Sequence, residues 1–424
     1  MCSYDSQANE LMKIKLLIVA LTLLGLQVKA QNPLGFSLSN GKSYVELSFR
    51  EESNLIVVPI ILNGNGPFNF ILDTGSESGL IFDKWVIAEN NLVNARQIPV
   101  YASNGSKVTD LLVASDLNIK MTGVEASQQT MLVLKENNLD IKGMLGIDAH
   151  GILGSELFNR FVVEIDYKEE KIRLYDHEKF KAPKGYKKVK IDVKNFRPYL
   201  STEIKQKGHK KVKLDLLIDT GASSAIFLDE QRHEEIVLPR KTLDHTLGSG
   251  ITGTLDGKIG RVKSINLGGK FKFRKVLTSF PQDWKIQKNV RDQDGTLIRH
   301  GTIGSDVLSK FNIIYDYMNE VAYFKKEKNF REEFKFNRAG FTFIAEGKDL
   351  NEFVVTSIIP GSPAENIGLE PMDEIIAIAG KPVFFYSMSE INGFLRGPLG
   401  TTIELIIRRD GELFKKKLKL KRLI

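Results

Sequence analysis

The chain has 424 residues, of which 42% are hydrophobic and 26% are charged, and these proportions exclude both a disordered tail and a multi-span membrane protein. The net charge of +8 is a mild excess spread along the chain, and no stripe of basic residues interleaved with aromatic ones indicates nucleic-acid binding. The length predicts two or three domains. The 35 glycines and 25 phenylalanines favour β structure with many turns.

The N-terminal segment, residues 1–30, has the features of a secretory signal peptide. Two lysines precede the apolar run 16–26, and small residues lead to a cleavage site after Ala30. The polar stretch before Met12 is atypical for such a signal, so Met12 is an alternative start. Because the apolar run is shorter than the roughly 20 residues of a spanning helix, we expect an exported protein with no transmembrane segment in the mature chain.

The only cysteine, Cys2, lies within that segment. The mature chain therefore has no disulfide, and its stability must come from the size of its core. A disulfide-free exported protein fits a bacterial envelope, and we expect a periplasmic or secreted location.

Two copies of one sequence pattern follow each other along the chain. Residues 72–82 read Leu-Asp-Thr-Gly-Ser-Glu-Ser-Gly-Leu-Ile-Phe and residues 218–227 read Ile-Asp-Thr-Gly-Ala-Ser-Ser-Ala-Ile-Phe, with the two Asp-Thr-Gly turns 146 residues apart. A second matched pair follows at 151–161 and 301–311. A chance match to a three-residue motif would not produce both pairs, so we infer two lobes in tandem.

Short alternating runs between turn residues predict strands throughout both lobes. Helical signals are few: residues 155–160 and 305–310 each begin with a serine, which we expect to cap the helix. Each lobe then ends in a strand that carries Asp-Tyr, and Asp166 and Asp316 are expected to end these strands and cap the turns that follow.

The doubled carboxylate suggests the chemistry. An apolar strand that runs into Asp-Thr-Gly places a carboxylate on a tight, poorly solvated turn. Two such turns related by a pseudo-twofold axis bring Asp73 and Asp219 close enough to share a proton, because two negative charges at contact distance cannot both persist. The pair could then hold a water, deprotonate it and protonate a scissile carbonyl, and its titration would belong to the pair and not to either aspartate.

These motifs, each followed by a short element that ends in glycine at Ile152-Leu153-Gly154 and Thr302-Ile303-Gly304, resemble the aspartic peptidases of the retropepsin and pepsin type over residues 35 to 330. Thr302 replaces an apolar residue in the second of these elements. The resemblance implies a mainly β fold in which two retropepsin-like lobes, 31–180 and 181–332, form one pepsin-like bilobal unit. It also implies an extended cleft for a polypeptide substrate beneath hairpin flaps, and a grip between the lobes by two threonines. The catalytic residues would be Asp73 and Asp219, and the supporting residues would be Thr74, Gly75, Ser76, Thr220, Gly221 and Ala222.

The spacing after each aspartate places the flap tips at Gly105 and Gly250. The six histidines lack the spacing of metal ligands, so we expect neither a metal nor another cofactor. Ser76 offers a hydroxyl to the carboxylate of its own turn whereas Ala222 offers none, which predicts that Asp73 is the ionised partner and Asp219 the protonated one.

Residues 333–424 differ in composition from the lobes and resemble an α+β PDZ domain of the kind found in bacterial envelope proteases. The resemblance implies that a peptide or protein C terminus binds as an added strand, with its carboxylate near Gly340, Phe341, Thr342 and Phe343; the alternative is a groove that is empty or occupied by the chain itself. Met372 stands where such domains usually have glycine before an aspartate. The alternating run 415–422 predicts a lysine-rich edge strand.

The sequence therefore predicts an exported, metal-independent aspartic endopeptidase with a PDZ module that binds peptide or protein termini. A monomer suffices, because both aspartates come from one chain. A non-cleaving envelope protein that binds peptide through its PDZ domain is the first alternative, and a structural envelope scaffold is the second.

Overall fold

The computed structural model describes residues 35–101, 107–137, 140–230, 233–250, 253–282 and 300–424. The predicted signal peptide, its alternative start Met12 and the predicted flap tip Gly105 lie outside these residues. The described chain is mainly β, with a C-terminal PDZ domain, as predicted. The boundaries predicted after residues 180 and 332 stay predictions.

The strands of the first half and the region between the halves have the following bounds: β1 Gly35–Leu38, β2 Tyr44–Ser48, β3 Arg50–Glu52, β4 Leu55–Leu62, β5 Asn65–Leu72, β6 Leu80–Ile81, β7 Gln97–Tyr101, β8 Lys107–Met121, β9 Val124–Leu134, β10 Gly151–Leu153, β11 Val162–Asp166, β12 Lys171–Tyr175, β13 Lys187–Lys190 and β14 Asp192–Lys194. The remaining strands are β15 Arg197–Lys205, β16 Lys211–Ile218, β17 Ile226–Leu228, β18 Thr242–Gly250, β19 Gly253–Leu267, β20 Phe271–Pro281, β21 Gly301–Ile303, β22 Phe311–Asp316, β23 Val321–Lys326, β24 Phe341–Glu346, β25 Glu352–Ile358, β26 Glu374–Ile378, β27 Lys381–Pro382, β28 Thr402–Arg409 and β29 Glu412–Lys419.

The α-helices are short: α1 Ile141–Leu145, α2 Glu156–Arg160, α3 Ser305–Leu308, α4 Pro363–Asn366 and α5 Met388–Leu395. Single 3₁₀ turns lie at Ser39–Gly41, Lys84–Val86, Glu89–Leu92, Lys328–Arg331 and Val383–Phe385. None of the helices in the described part of the chain has both the length and the apolar character needed to cross a membrane.

Two large sheets repeat one arrangement. In the nine-stranded sheet of lobe 1, the central order β6-β10-β5 places β10 parallel to β5 and antiparallel to β6. In the eight-stranded sheet of lobe 2, β21 likewise lies parallel to β16 and antiparallel to β17. Strands β5 and β16 end in three buried residues each, so the apolar runs of the sequence carry each chain into the interior just before its aspartate.

A third sheet joins the two halves, in the order β13-β23-β22-β11-β12-β2. Its central pair is β11 from the first half and β22 from the second, antiparallel, with Asp166 opposite Asn312. The Asn312 side chain donates to Asp166 Oδ2 at 2.7 Å. One hydrophobic core then runs through both lobes without interruption, so the lobes form a single folded unit.

The aspartates at the ends of β11 and β22 cap turns as predicted. Asp166 Oδ1 accepts from the Glu169 amide at 3.1 Å, and Asp316 Oδ1 accepts from the Asn319 amide at 3.2 Å. Each carboxylate thus fixes the turn that sends the chain back along the shared sheet.

The PDZ domain has its own sheet, in the order β24-β25-β26-β28-β29, and its own core. Strand β29 lies at one edge, as the alternating lysine run predicts, and β24 lies at the other. The domain also packs on lobe 2, because Phe336, Ile359 and Ile424 form one apolar cluster with Ile259 of β19. Leu243 and Leu247 of β18 pack against the same cluster.

Candidate active site

Each catalytic candidate stands at the end of a strand whose neighbour holds its backbone. The Asp73 amide donates to the Leu153 carbonyl of β10 at 2.9 Å, and the Asp219 amide donates to the Ile303 carbonyl of β21 at 3.0 Å. The second sequence repeat of each lobe therefore supports the first, which explains why the two repeats occur together.

Four hydrogen bonds made by Thr74 and Thr220, two of them between the threonines themselves, tie the two turns together. The Thr74 amide donates to Thr220 Oγ1 and the Thr220 amide donates to Thr74 Oγ1, both at 3.0 Å. Thr74 Oγ1 donates to the Ile218 carbonyl at 2.8 Å, and Thr220 Oγ1 donates to the Leu72 carbonyl at 2.7 Å. Both threonines are fully buried, so neither hydroxyl has water as a substitute partner.

This grip brings the two carboxylates to the middle of the site, each lying against the opposite turn. A Cβ added at Gly75 would lie 2.8 Å from both carboxylate oxygens of Asp219, and one added at Gly221 would lie 2.6 Å from both carboxylate oxygens of Asp73. Each carboxylate also accepts from the glycine amide of its own turn, at 2.7 Å for Asp73 and 3.0 Å for Asp219. Glycine is required at both positions because any side chain would displace the partner aspartate.

The glycines of the second repeat, Gly154 and Gly304, allow an equally close approach behind the turns. A Cβ at Gly154 would lie 3.0 Å from the Ser76 carbonyl oxygen, and one at Gly304 would lie 2.6 Å from the Ala222 carbonyl oxygen. Neither glycine was assigned a role from the sequence, although the spacing of both from the aspartates was the available signal.

The serines predicted to cap the short helices have another role. Ser155 Oγ donates to the Glu77 carbonyl at 2.9 Å, and Ser305 Oγ donates to the Thr220 carbonyl at 3.1 Å. Neither helix has a side-chain cap, and α3 has Gly304 as its N-cap residue. Ser155 stands at the N-cap position of α2, as predicted, whereas Ser305 is the first residue of α3. The prediction that both serine side chains cap their helices was wrong, because each hydroxyl donates to a carbonyl of an aspartate turn and makes no capping bond.

Ser76 does not act as the sequence suggested. Its hydroxyl donates to the Ser78 carbonyl at 2.8 Å and its single proton is therefore engaged away from Asp73. Ala222 occupies the equivalent position in lobe 2. The predicted difference in ionisation between Asp73 and Asp219 depended on a hydrogen bond from Ser76 to Asp73, and the Ser76 hydroxyl donates to Ser78 instead.

Buried tyrosine lies close to the aspartates. Burial, and then the charges of Asp73 and Asp219, raise the pKa of Tyr317 well above its ordinary value, so its hydroxyl stays protonated. The ring stacks on Phe158, with centroids 5.3 Å apart. The hydroxyl finds no hydrogen-bond partner among the described residues. Tyr317 thus adds a neutral, buried side chain near the two aspartates.

Carboxyl groups behind each aspartate turn are also desolvated. Burial raises the pKa of Glu156 in lobe 1, whose Oε1 accepts from the Gly79 amide, and burial raises the pKa of Asp306 in lobe 2. In each lobe this acid immediately follows the serine that holds the turn. Neither acid was singled out from the sequence.

Two histidines occupy matched places at the entry to β10 and β21. His150 Nδ1 accepts from the Asn69 amide at 3.3 Å and His300 Nδ1 accepts from the Asp215 amide at 3.2 Å. Burial lowers the pKa of both, helped by Lys142 near His150 and by His233 near His300. Both rings are therefore held in the neutral form that can accept a backbone hydrogen bond.

Polar contacts also join the lobes beside the aspartates. Arg197 of β15 pairs with Glu77, and Asn54 Nδ2 donates to the Ser223 carbonyl at 3.0 Å. In the described residues, no three His, Cys, Asp or Glu side chains come together as metal ligands would.

The predicted flap tip Gly250 ends strand β18 and pairs with Gly253 of β19. Strands β18 and β19 form the long hairpin of lobe 2, and β18 packs against the PDZ domain through Leu243 and Leu247. The role of Gly250 as a flap stays a prediction.

The predicted peptide-binding residues of the PDZ domain lie at the start of edge strand β24. Gly340 has a φ of 88°, Phe341 is fully buried and Phe343 is nearly so, and Thr342 Oγ1 lies 2.8 Å from Thr356 Oγ1. Asn337 Oδ1 accepts from the Gly340 amide at 2.9 Å, so that amide already has a partner within the chain.

Two family models match segments of the chain. The family model described as "Aspartyl protease" matches residues 58–157 and 202–307, and that described as "PDZ domain" matches 354–409. The two aspartyl protease segments each contain one Asp-Thr-Gly turn and the beginning of its second repeat. Together these matches fit a protease that carries a PDZ domain.

Similar curated proteins are bacterial proteases that match a smaller part of the chain. The "Carboxy-terminal processing protease CtpA" of Bacillus subtilis is 31% identical over 34% of this chain, and a "Probable CtpA-like serine protease" of Staphylococcus haemolyticus is 32% identical over 22%. The chain covers only 29% and 18% of the length of these relatives. Among solved structures, a photosystem II D1 C-terminal processing protease matches 20% of the chain and 22% of its own at 23% identity, with a TM-score of 0.19.

Proposed function

We propose that this chain is an exported aspartic endopeptidase that hydrolyses peptide bonds between Asp73 and Asp219. The observation that carries the proposal is the reciprocal threonine grip, which sets each carboxylate against the glycine of the opposite turn. A relative named as a CtpA-like serine protease matches only 22% of the chain, whereas each aspartyl protease segment contains one of the two aspartates.

The mechanism follows from the pair. Two carboxylates this close to one another share one proton, since desolvated like charges at contact distance are strongly disfavoured. A water held between them can give a proton to one carboxylate while the other carboxyl protonates the scissile carbonyl oxygen. The glycine amide of each turn fixes one carboxylate oxygen, because it donates to Oδ1 of its own aspartate.

The substrate class is an extended polypeptide, and the PDZ module is proposed to bind a peptide or protein C terminus at the edge of β24. The active unit is a monomer, because one chain supplies both aspartates. The proposed location is the bacterial envelope, either periplasmic or secreted.

The test is cleavage of a proteome-derived peptide library by the purified full chain, followed by mass spectrometry of the products over a range of pH. Asp73→Asn and Asp219→Asn should each reduce cleavage by about a thousandfold or more, because either change removes the shared proton site. Asp116→Asn, an exposed aspartate in lobe 1, is the matched control and should cleave like the parent chain.

A statine-type inhibitor, which mimics the tetrahedral intermediate, should block the parent chain. Cleavage that persists in both active-site variants would overturn the aspartic mechanism. Peptides that are bound but never cut would favour the alternative of a non-cleaving protein that acts through its PDZ domain, an alternative that the PDZ match supports.

A further inference from the structure

A large basin opens where strands β19 and β20 of lobe 2 meet the segment 330–334 and the last residues of the chain. It has two continuous parts, of about 1300 Å³ and about 520 Å³, which share Lys207, Lys241, Arg261 and Ile424. The larger part alone exceeds the roughly 300–1,000 Å³ of a small-molecule pocket. Its size therefore suits a segment of a polymer better than a single small molecule.

Positive charge dominates this basin. Nine Lys and Arg side chains line its two parts, against two glutamates. One of these glutamates, Glu333, already lies 3.8 Å from Arg338 and 3.7 Å from Arg422, and a terminal carboxylate at Ile424 would still leave a large cationic excess. Because the whole chain carries a net charge of only +8, this local concentration of cations indicates an anionic partner.

Most of these cations are free to meet a partner. Six exposed ones in the larger part, which we call the basin cations, form no ion pair with a described residue: Lys207, Lys241, Lys272, Arg274, Lys275 and Arg331. Their charges are therefore balanced by solvent ions alone in the described part of the chain.

Arg261 holds a further uncompensated charge at the junction of the two parts. Its side chain is partly buried, and the guanidinium donates to the Lys275 carbonyl at 2.8 Å and to the Phe334 carbonyl at 2.9 Å. These bonds fix its position, but no described carboxylate forms an ion pair with it. A partly desolvated cation without a counter-charge is unfavourable, and a carboxylate of a bound partner would supply that counter-charge.

Two basin cations have the spacing of an extended chain. Lys272 and Arg274 are exposed on one face of β20, and Phe273 between them is buried on the other face. Strand residues advance about 3.3 Å each, so these two side chains emerge about 6.6 Å apart. Alternate side chains of an extended peptide have the same spacing. Carboxylates on alternate residues can therefore pair with both cations.

We propose that this basin binds an extended, acidic segment of a polypeptide that carries carboxylates on alternate residues. A single-stranded nucleic acid fits less well, because its bases need exposed aromatic faces for stacking. Phe273 and Phe334 are only 5% and 3% exposed, and Lys326 Nζ lies 4.2 Å from the centroid of the Phe330 ring. A membrane surface fits less well because it is nearly flat and cannot enter a concave basin.

The inference depends neither on hydrolysis at Asp73 and Asp219 nor on peptide binding by the PDZ domain. The test is fluorescence anisotropy of the full chain with a labelled decapeptide of alternating Glu and Ala, and the neutral comparison peptide alternates Gln and Ala. The basin variant combines Lys272→Glu with Arg274→Glu. The matched control combines Lys42→Glu with Lys84→Glu, which make the same change in net charge at exposed positions of lobe 1 outside the basin.

The parent chain and the control variant should bind the Glu peptide at least tenfold more tightly than the Gln peptide, and the basin variant should lose that preference. Raising the ionic strength from about 0.05 M to about 0.3 M should weaken binding of the Glu peptide to the parent chain. Unchanged binding by the basin variant, or no binding by the parent chain, would overturn the proposal and leave the proposed hydrolysis untouched.

Two other probes test the class of partner. A single-stranded oligonucleotide and phosphatidylglycerol vesicles should each bind more weakly than the Glu peptide. Tighter binding of either one, lost in the basin variant, would show that the partner is not a polypeptide, and the proposal would be wrong.

Lysine acetylation of the parent chain gives a second measurement that needs no variant. Saturation with the Glu peptide should protect Lys207, Lys241 and Lys272 from acetylation and leave Lys42 and Lys84 as reactive as before. Unchanged reactivity of the three basin lysines with the peptide bound would place the contact elsewhere and contradict the proposal.

Discussion

The two lobes hold their aspartates in the same way and differ one layer further out. Thr74 and Thr220 exchange equivalent hydrogen bonds that agree within 0.1 Å in length. Behind them the lobes diverge: Ser76 of the first repeat corresponds to Ala222 of the second, and, in the part of the chain that the structure describes, α1 of lobe 1 lies against β24 of the PDZ domain. The lobes are alike at the threonines, where their two turns contact each other, and they differ behind the turns, where each lobe contacts different parts of the molecule.

This comparison is tested most strongly by removing one hydroxyl of the grip. Thr74→Val and Thr220→Val each leave a buried amide and a buried carbonyl without partners, which should cost about 2–4 kcal/mol of unfolding free energy. The two losses should be equal within about 0.5 kcal/mol. Urea denaturation measures both, and Thr401→Val on the exposed PDZ surface should change stability little. Unequal losses would show that the grip is not symmetric.

Substitution of the glycines behind the turns, Gly154 and Gly304, should destabilise the two lobes to different extents. A methyl group at Gly304 would come closer to the Ala222 carbonyl than one at Gly154 comes to the Ser76 carbonyl, at 2.6 Å against 3.0 Å. Gly304→Ala should therefore destabilise the chain more than Gly154→Ala, with both losses in the range of about 1–3 kcal/mol for overpacking. Thermal unfolding provides the comparison, with Gly248→Ala as a control because no atom lies near that position. The opposite order would contradict the packing argument.

The matched histidines predict a dependence of stability on pH. Burial lowers the pKa of His150 and His300 below the ordinary value of 6.5. The unfolded chain therefore takes up protons first as pH falls, so the stability contributed by the neutral rings is full above 6.5 and is lost below it. His150→Gln and His300→Gln should each flatten the fall in unfolding free energy between pH 7.5 and 5, while the exposed His209→Gln should not. A parallel pH curve in all three variants would refute the prediction.

The smallest effect is expected at Ser76. Its hydroxyl donates to Ser78, so Ser76→Ala should cost about 0.5–1 kcal/mol and leave the pH profile of peptide cleavage unchanged. Kinetics over the acid limb measure this directly, with Ala222→Ser as the reciprocal variant. A shift of that limb in Ser76→Ala would restore a link between this hydroxyl and Asp73.

The sequence predicted what depends on repetition and strong local pattern. Two Asp-Thr-Gly turns after apolar strands were enough to anticipate paired lobes, and alternating lysines were enough to place β29 at an edge. The turns capped by Asp166 and Asp316 were predicted because Asp prefers such positions irrespective of distant contacts.

What the sequence could not supply depends on residues far apart in the chain. The hydroxyls of Ser155 and Ser305 donate to the carbonyls of Glu77 and Thr220, and these carbonyls reach them only through the tertiary fold. The approach of α1 to Ala345 is similarly invisible, since no local pattern couples residues about two hundred positions apart. The prediction for Ser76 was wrong for a similar reason. Its hydroxyl donates to the Ser78 carbonyl and not to the Asp73 carboxylate, and the sequence does not show which of these acceptors is better placed.

The sheet shared between the halves has a consequence during synthesis. Strand β11 is complete on one side through β12, but its other side pairs with β22, whose residues emerge about 150 positions later. At the usual elongation rate this delay lasts roughly ten to thirty seconds. Throughout that interval an apolar strand edge stays open to unintended partners, so the nascent first half is the stage at which a holding chaperone would be most needed.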